Sequence, residues 1–270
     1  MKKFSFRKHV FLPLLLLVTI FTIYSRLIPA EEPQLKPVNI DEKFDERFLY
    51  INSSARIDSL ISAKFRVSHD DTAATVLFID NFLRNRFFHS YSRLSMKDNW
   101  ICVLFGKFVW DHFYYPVVPS VIIENPMAAC SQQGILFQQQ LDRLKIRCST
   151  IQFFPLSKQK PGHYAVSVYY SNSWHYYDPN REPYIVDSAM PSVEVIIDQK
   201  LYEKMYSRPS NIEFQGFFKN KSYKRVSMEP FSKGKMYYFQ LITAFLSHWL
   251  WLILLVFYCG YLLNKRLKKA

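Results

Sequence analysis

The chain has 270 residues and a net charge of +13 at neutral pH, with 49% hydrophobic and 17% aromatic residues. Residues 1–30 carry five Lys or Arg and no acidic residue, and residues 237–270 carry four and no acidic residue. The 206 residues between them therefore carry only +4, an ordinary balance for a folded domain. The positive charge thus marks the two ends of the chain, and we expect no nucleic-acid partner.

Each end of the chain contains an apolar segment long enough to cross a bilayer. The first, Val10–Ile28, follows a basic head at residues 1–9, and the second, Phe239–Leu263, precedes a basic tail at residues 264–270. Basic residues beside a membrane-spanning helix resist translocation and stay in the cytoplasm. The sequence therefore predicts two transmembrane helices in the lipid bilayer, with both termini cytoplasmic and the middle of the chain on the other side.

A cleaved signal peptide that ends at Ala30 is the alternative interpretation of the first apolar segment. Signal peptides have small residues close to the cleavage site, where this chain has Ile28. Arg26 also interrupts the approach to that site. We therefore favour the transmembrane helix.

Linkers at residues 29–38 and 219–238, rich in Pro or in Lys and Ser, are predicted to join the membrane helices to a folded domain at residues 39–218. In the first half of that domain the apolar residues recur at helical spacing, which predicts two helices. One helix, preceded by capping residues 68–71, is predicted to bury Val76, Ile79, Phe82 and Leu83. Another, after residues 97–99, is predicted to bury Ile101, Phe105, Phe108 and Val109.

A third helix and then a set of strands are predicted in the second half of the domain. The helix begins at Cys130 and continues to about Lys145, with apolar or small residues along one face. Alternating β-branched and aromatic residues then predict strands at Arg147–Phe154, His163–Tyr170, Trp174–Asp178 and Val193–Ile197, followed by a short amphipathic piece at Gln199–Tyr206. This order predicts an α+β fold with helices packed on an antiparallel sheet.

Cys130, His163 and Asp178 follow one another in an order that suits thiol catalysis. A thiol is a strong nucleophile only as the thiolate, and the N-terminus of a helix favours that negative charge. An imidazole can accept the thiol proton, and a carboxylate on its second nitrogen fixes the tautomer and stabilises the imidazolium. These three residues are the candidate catalytic residues.

The predicted hairpin determines whether the side chains of His163 and Asp178 lie on the same face of the sheet. A two-residue turn centred between positions 170 and 173 sets residue 163, 165 or 167 opposite Asp178. All three share one face of the strand, because side chains alternate along it. The pattern therefore predicts that the two side chains project to one face, within reach of a hydrogen bond. His175 alternates away from Asp178 and is predicted to lie at the surface.

At these residues the chain resembles the transglutaminase-like superfamily of papain-type cysteine enzymes. The resemblance spans residues 95–182 and rests on a helix that begins at Cys130, on Gly162-His163 with alternating valines after it, and on Trp174 followed by Asp178-Pro179. Ala129 stands where Gly often precedes the Cys, and Ala165 stands where the family commonly has an aromatic residue. The resemblance implies a transglutaminase-like domain whose Cys forms a thioester.

The sequence also suggests which groups stabilise an oxyanion. The backbone N–H of Cys130 is the natural donor, and the side chains of Asn125 and Gln133 are candidate partners. Cys102 and Cys148 are open to two interpretations, a disulfide in an oxidising compartment or two buried thiols.

No pair of residues has the spacing of a metal site. His69, His89 and His112 are isolated from one another, and neither an HxxxH nor a CxxC motif occurs. We therefore expect no metal and no other cofactor.

Together these features predict an enzyme of the bacterial inner membrane whose main domain lies in the periplasm or outside the cell. Its substrate would be a protein, a peptide or an envelope polymer with an amide or ester bond. Resolution of the thioester by water would make it a protease or amidase, and resolution by an amine would make it a transamidase. The sequence leaves this choice open.

Two non-enzymatic functions are alternatives. The first is a non-catalytic transglutaminase-like subunit of a membrane or envelope assembly, because one anchor would suffice to tether a small domain. The second is a domain that binds an envelope polysaccharide through exposed aromatic residues. Reactivity of the Cys130 thiol distinguishes the enzyme from the non-catalytic subunit, whereas saccharide affinity that survives Cys130→Ala would indicate the polysaccharide-binding domain.

Overall fold

A computed structural model of the chain describes residues 6–29, 43–65, 72–155, 162–181, 190–209, 211–226 and 234–268, with side chains from residue 11 onward. The helices in these ranges are α1 (Phe6–Leu27), α2 (Ser54–Lys64), α3 (Thr72–Arg86), α4 (Met96–Phe108), α5 (Pro119–Glu124), α6 (Cys130–Arg143), α7 (Val193–Asp198), α8 (Tyr202–Met205), α9 (Gln215–Lys219) and α10 (Lys235–Leu267). The strands are β1 (Arg147–Phe153), β2 (His163–Tyr170), β3 (Ser173–Tyr177) and β4 (Tyr223–Val226).

The chain divides into two compact units. The first unit comprises Met1–Glu32, Arg93–Tyr115 and Tyr238–Ala270, and the second comprises Pro33–Ser92 and Pro116–Tyr237. The sequence assigned residues 93–115 to the folded domain at 39–218, whereas the structure groups them with the two ends of the chain. The predicted linker at 29–38 and the predicted capping residues 68–71 lie outside the described residues, apart from Pro29.

The first unit contains a long apolar helix. Helix α10 has 33 residues, which at 1.5 Å per residue extend about 50 Å. By length and composition it is the one helix among the described ranges that can cross a membrane, and α1 adds a shorter apolar stretch, Phe11–Leu27. This finding supports membrane association through α10. The two-pass topology stays a prediction.

The helix predicted after residues 97–99 is present, but it does not bury the predicted face. It ends at Phe108 and is kinked at Asn99, whose φ and ψ are −157° and 75°. Three residues of that face are exposed by 42%, 74% and 68%, namely Phe105, Phe108 and Val109, so the predicted burial is wrong. Helical periodicity identifies an apolar face but does not say what covers it.

The second unit opens with helices that match the sequence closely. In α3 the predicted positions Val76, Ile79, Phe82 and Leu83 are all buried. Helix α6 begins at Cys130 as predicted and buries Gly134 against the sheet, where an added Cβ would lie 3.9 Å from Val166. Amphipathic spacing was therefore sufficient to predict these two helices.

The second unit also contains an antiparallel sheet of four strands in the described part of the chain, in the order β3-β2-β1-β4. Both faces of β2 are covered. Val166 and Val168 lie on the α6 side. On the other side Phe153 of β1 packs on Phe217 and Phe218 of α9, with ring centroids 5.4 and 5.0 Å apart. His163 shares that second face, so the imidazole lies in a covered part of the sheet.

Two predictions after β3 are wrong. Residues predicted as a strand at Val193–Ile197 form helix α7 instead, capped by the Ser192 side chain, which accepts the Val195 N–H at 3.4 Å. Val193 and Ile196 are buried at helical spacing, because packing overrides the strand preference of β-branched residues. The predicted linker at 219–238 contains β4, which pairs with the edge of β1.

Candidate active site

Cys130 is the first residue of α6. The start of this helix is fixed by Gln132, whose side-chain oxygen accepts the backbone N–H of Ala129 at 3.0 Å and that of Ser92 at 3.1 Å. Backbone N–H groups in the first turn of a helix have no intrahelical partner and favour a negative charge. Cys130, 8% exposed, therefore lies where a thiolate is stabilised.

His163 is the first residue of β2 and pairs with Phe153 at the end of β1. Gly162 permits this approach, because a Cβ at position 162 would lie only 2.4 Å from the Phe153 carbonyl oxygen. The imidazole packs against the edge of Phe214, with ring centroids 4.7 Å apart. A tight backbone contact and an aromatic ring thus hold the imidazole in place.

Asp178 follows β3 directly and is completely buried. Its Oδ2 lies 2.8 Å from Nε2 of His163 and accepts the hydroxyl of Tyr206 at 3.0 Å. Its Oδ1 accepts the backbone N–H groups of Asn180 at 3.2 Å and of Arg181 at 2.9 Å. Burial works to raise the pKa of Asp178, but the His163 charge and these hydrogen bonds hold it below its ordinary value. The carboxylate is therefore ionised.

The β2–β3 hairpin explains how His163 and Asp178 meet. Its two-residue turn is Ser171-Asn172, with φ of 48° and 57°, the left-handed values that such turns require. The same register, continued by one residue, sets Ala165 opposite Asp178. His163 then lies two residues from Ala165 on the same face. The predicted shared face is confirmed, and the pairing is diagonal rather than direct.

The Cys130 thiol and the His163 imidazole form a hydrogen bond, and Nδ1 is the ring nitrogen available for it because Asp178 holds Nε2. Burial works to raise the pKa of Cys130, yet the His163 charge and hydrogen bonds from His163 and Tyr164 hold it below its ordinary value. Burial works to lower the pKa of His163, but Asp178 and Cys130 raise it to about 9. Each group therefore favours the charged form of the other: the imidazolium favours the thiolate, and the thiolate favours the imidazolium.

A pocket of about 150 Å³ borders this pair. One side of the pocket is the loop His89–Tyr91, which is held near α6 by a parallel bridge between Phe88 and Met127. The other lining residues, besides Cys130 and His163, are Ala129, Gly162, Arg181, Glu213, Phe214 and Phe217. Cys130 and His163 therefore both border a space that can hold a small group.

His89 is a pocket residue that the sequence did not connect with the triad. Burial, and then the charges of Arg181 and His163, lower the pKa of its imidazole to about 3. The ring is therefore neutral at neutral pH and carries one N–H. Arg181 also borders the pocket and was likewise missed. No local pattern marks either residue, because each reaches the pocket through tertiary packing.

Neither predicted oxyanion amide reaches the pocket. The Asn125 side chain donates to the Val121 carbonyl at 2.7 Å. The Gln133 side chain donates to the Ala128 carbonyl at 3.1 Å. Both amides bond to nearby backbone, so the structure does not support these two assignments. Cys130 and His89 both line the pocket, so their N–H groups replace these amides as candidate donors.

His175 is buried and not at the surface as predicted. Its ring stacks on Tyr170, with centroids 3.8 Å apart, and one ring nitrogen lies 2.8 Å from the Ser173 hydroxyl. Its other nitrogen contacts the Met190 carbonyl just before α7. The prediction failed because both faces of the sheet are covered.

The remaining cysteines lie outside this arrangement. All four cysteines are free thiols, so Cys102 and Cys148 are not paired in this structure. Burial raises the pKa of Cys148 to about 12, which keeps its thiol protonated. Within the described ranges, which exclude His69, no group of three or more His, Cys, Asp or Glu is placed to hold a metal ion.

The Cys130 thiol and the His163 imidazole thus border one pocket, and the Asp178 carboxylate lies buried behind the imidazole. Such an arrangement can attack a carbonyl carbon and protonate a leaving group. The chain matches no known family model, no curated protein sequence and no solved structure. The transglutaminase-like resemblance therefore rests on the residues of the chain itself.

Proposed function

We propose that this protein is a membrane-attached cysteine enzyme of transglutaminase-like type, which breaks an amide or ester bond through a thioester on Cys130. The observation that carries the proposal is the 2.8 Å contact between His163 and Asp178 next to a thiol at a helix N-terminus. Burying such charges costs stability, and strongly perturbed ionisable groups cluster at functional sites. A structural thiol needs none of these neighbours.

In the proposed first step the Cys130 thiolate attacks the carbonyl carbon of the substrate, and the carbonyl π electrons move to oxygen. The tetrahedral intermediate collapses as the bond to the leaving nitrogen or oxygen breaks. His163 gives its Nδ1 proton to that leaving group. The products are an acyl thioester, a free amine or alcohol, and a neutral imidazole. Asp178 stays ionised and holds the ring orientation.

In the second step a water or an amine resolves the thioester. Neutral His163 takes a proton from the incoming group as that group attacks, and Cys130 leaves as the thiolate. The ion pair is then restored. Hydrolysis and transamidation use the same residues, so both belong to the proposal.

The oxyanion formed in each step needs N–H donors. We assign this role to the backbone N–H of Cys130 and to the neutral imidazole of His89, which borders the same pocket. The pKa of about 3 keeps the His89 ring neutral at neutral pH, and a neutral imidazole can donate its one N–H to the oxyanion.

The proposed location is the inner membrane of a bacterium, with two membrane-spanning helices, both termini cytoplasmic, and the second unit in the periplasm or outside the cell. The support is the apolar length of α10, the apolar stretch of α1, and the basic residues at both ends. The substrate would then be a protein, a peptide or an envelope polymer close to the bilayer.

The experiment is to trap the acyl group on Cys130 in the full-length protein from native membranes. Mass spectrometry of the peptide that contains Cys130 is expected to show an adduct that hydroxylamine removes, as it does a thioester. The His163→Ala variant should lack it. The peptide that contains Cys148 is the internal control, because that thiol is protonated.

A non-catalytic subunit of a membrane assembly is the second candidate. The observation in its favour is the 8% exposure of Cys130, which leaves a narrow approach to the thiol. If Cys130 in the folded protein resists iodoacetamide at neutral pH, and Cys130→Ala leaves the cellular phenotype unchanged, then the enzyme proposal is wrong and this candidate stands.

A further inference from the structure

The segment Arg93–Tyr115 belongs to the same unit as the two apolar ends of the chain. It contains α4 and a 3₁₀ turn at Asp111–Tyr114. Its sequence, with Trp100, Phe105, Phe108 and Trp110, is as aromatic as a membrane-interface segment. Both neighbours in the chain, α3 and α5, belong to the second unit, so this segment is an insertion in the chain of that unit.

Asn99, at the kink of α4, is hydrogen-bonded to α10. Its side-chain nitrogen donates to the Gln240 carbonyl at 3.1 Å and to the Thr243 hydroxyl at 3.0 Å. The Ser247 hydroxyl donates to the side-chain oxygen of Asn99 at 3.2 Å and accepts the N–H of Ile101 at 3.2 Å. Small polar residues bond helices together in this way inside membranes, and irregular backbone is tolerated there when protein satisfies it.

The positions of these contacts along α1 and α10 show where α4 packs. The two helices meet at Phe11 and Tyr258, whose rings are stacked with centroids 5.9 Å apart. Trp100 of α4 packs on Phe21, with centroids 5.7 Å apart, and donates from Nε1 to the Ser247 carbonyl at 3.0 Å. At 1.5 Å per residue, Phe21 is about 15 Å and Ser247 about 16 Å from the Phe11–Tyr258 level. Trp100 therefore packs within the apolar stretches of both helices.

The far end of the segment leaves apolar side chains uncovered. Phe108, Val109 and Trp110 are exposed by 74%, 68% and 50%. Lys107 lies beside them with its ammonium 5.7 Å from the Phe108 ring, an arrangement in which a long side chain can reach the polar surface. Trp110 packs on Phe113, and Phe113 packs on Phe239 of α10, with ring centroids 5.7 and 5.0 Å apart. These rings join the exposed set to α10, the helix to which α4 is hydrogen-bonded.

We propose that Arg93–Tyr115 is a third membrane element, which lies in the leaflet on the non-cytoplasmic side with Phe108, Val109 and Trp110 in contact with lipid acyl chains and the headgroup boundary. We assign lipid as the partner of these side chains because the segment packs on the apolar stretches of a membrane helix. Side chains beside such a helix face the same lipid environment as the helix itself. The assignment of the leaflet rests on the topology in the proposed function, whereas the contact with lipid rests on the first unit and is independent of the chemistry of Cys130.

The test uses the full-length protein in vesicles of phosphatidylcholine and phosphatidylglycerol that contain a lipid with a diazirine on its acyl chain. After illumination, mass spectrometry maps the lipid adducts. Peptides covering 105–110 are expected to carry adducts at a yield within about threefold of peptides from α10. Peptides with Tyr50 or Ile212 are matched controls, because these residues are apolar and similarly exposed but lie in the second unit.

A variant makes the result decisive. Val109→Asp combined with Phe108→Asp should lower the yield at 105–110 about tenfold, because an acidic side chain leaves the acyl region, while α10 adducts stay unchanged. Ile212→Asp should change neither yield. Adducts on α10 with none at 105–110 above the Ile212 background would overturn the proposal.

Discussion

The Tyr206 hydroxyl donates a hydrogen bond over 3.0 Å to Oδ2 of Asp178, the oxygen that also holds His163. Burial, and then the charge of Asp178, hold the pKa of Tyr206 well above its ordinary value, so the hydroxyl keeps its proton. Tyr206 follows α8 directly and does not line the pocket. The helices after the sheet therefore support the candidate site from behind.

Tyr206→Phe removes this donor and leaves Oδ2 with less stabilisation. The pKa of Asp178 should rise. Because Asp178 supports the His163 charge that lowers the pKa of Cys130, the pH at which alkylation of Cys130 is lost should move upward. We also expect the free energy of unfolding to fall by about 1–3 kcal/mol, the usual effect of losing a buried hydrogen bond to a charged group. The measurements are the pH dependence of iodoacetamide alkylation and chemical denaturation.

The matched control is Tyr170→Phe, which removes a buried hydroxyl pair with Tyr177 at 2.8 Å, on the opposite face of the sheet from the Asp178 side chain. It should lower stability similarly and leave the alkylation profile unchanged. An equal shift of the profile in both variants would mean that Tyr206 acts only through general stability.

Asp178→Asn should weaken the ion pair. Asp178 raises the pKa of His163 to about 9, and the charge of His163 in turn lowers the pKa of Cys130. Without the carboxylate the imidazole loses its proton at lower pH and the thiol pKa rises. Alkylation at pH 6.5 should slow by about tenfold for each unit by which the thiol pKa rises. Asp142→Asn, at an exposed position of α6, is the control and should behave as wild type.

Alkylation of Cys130 and acyl transfer should depend differently on pH. The lowered pKa of Cys130 keeps the thiolate present below the ordinary thiol pKa of about 8.5, and alkylation is lost as pH falls through that lowered value. As pH rises through about 9, His163 loses its proton, so proton delivery to a leaving group stops while the thiolate persists. Acyl transfer should therefore fall above pH 9, and alkylation should not.

His89→Phe should affect acylation far more than alkylation. Attack on p-nitrophenyl acetate passes through an oxyanion, whereas alkylation by iodoacetamide forms none. Loss of one oxyanion donor typically slows the first reaction by about 10²–10³-fold. The measured quantity is the ratio of the two rates at pH 7. A ratio equal to that of wild type would exclude His89 as a donor and leave the triad unaffected.

Gly162→Ala should disturb the site through the backbone. An added Cβ would meet the Phe153 carbonyl oxygen at 2.4 Å, so the start of β2 must shift and carry His163 with it. We expect a loss of about 1–3 kcal/mol in unfolding free energy together with slower alkylation. Gly134→Ala is the contrasting variant, since its Cβ meets only Val166 at 3.9 Å in a helix, where Ala is favoured by up to about 1 kcal/mol.

Local patterns were sufficient for the parts of the molecule that depend on neighbours in the sequence. Helices α3 and α6 bury the predicted positions, and the His163–Asp178 face follows from the alternation of side chains about a two-residue turn. Local patterns were insufficient where tertiary packing determines the secondary structure or the partner of a side chain. The β-branched run at Val193 became helix α7, and Asn125 and Gln133 bonded to their own backbone.

The sequence by itself determined the order of Cys130, His163 and Asp178, the shared face of the last two, and the apolar ends of the chain, because each depends on periodicity or composition. Tertiary structure alone decided that His89 borders the thiol, that Tyr206 holds Asp178, and that α4 packs with α1 and α10. Those three contacts join residues far apart in the chain. An apolar or polar pattern indicates whether a side chain will be buried or exposed. Only tertiary packing determines which other residues contact it.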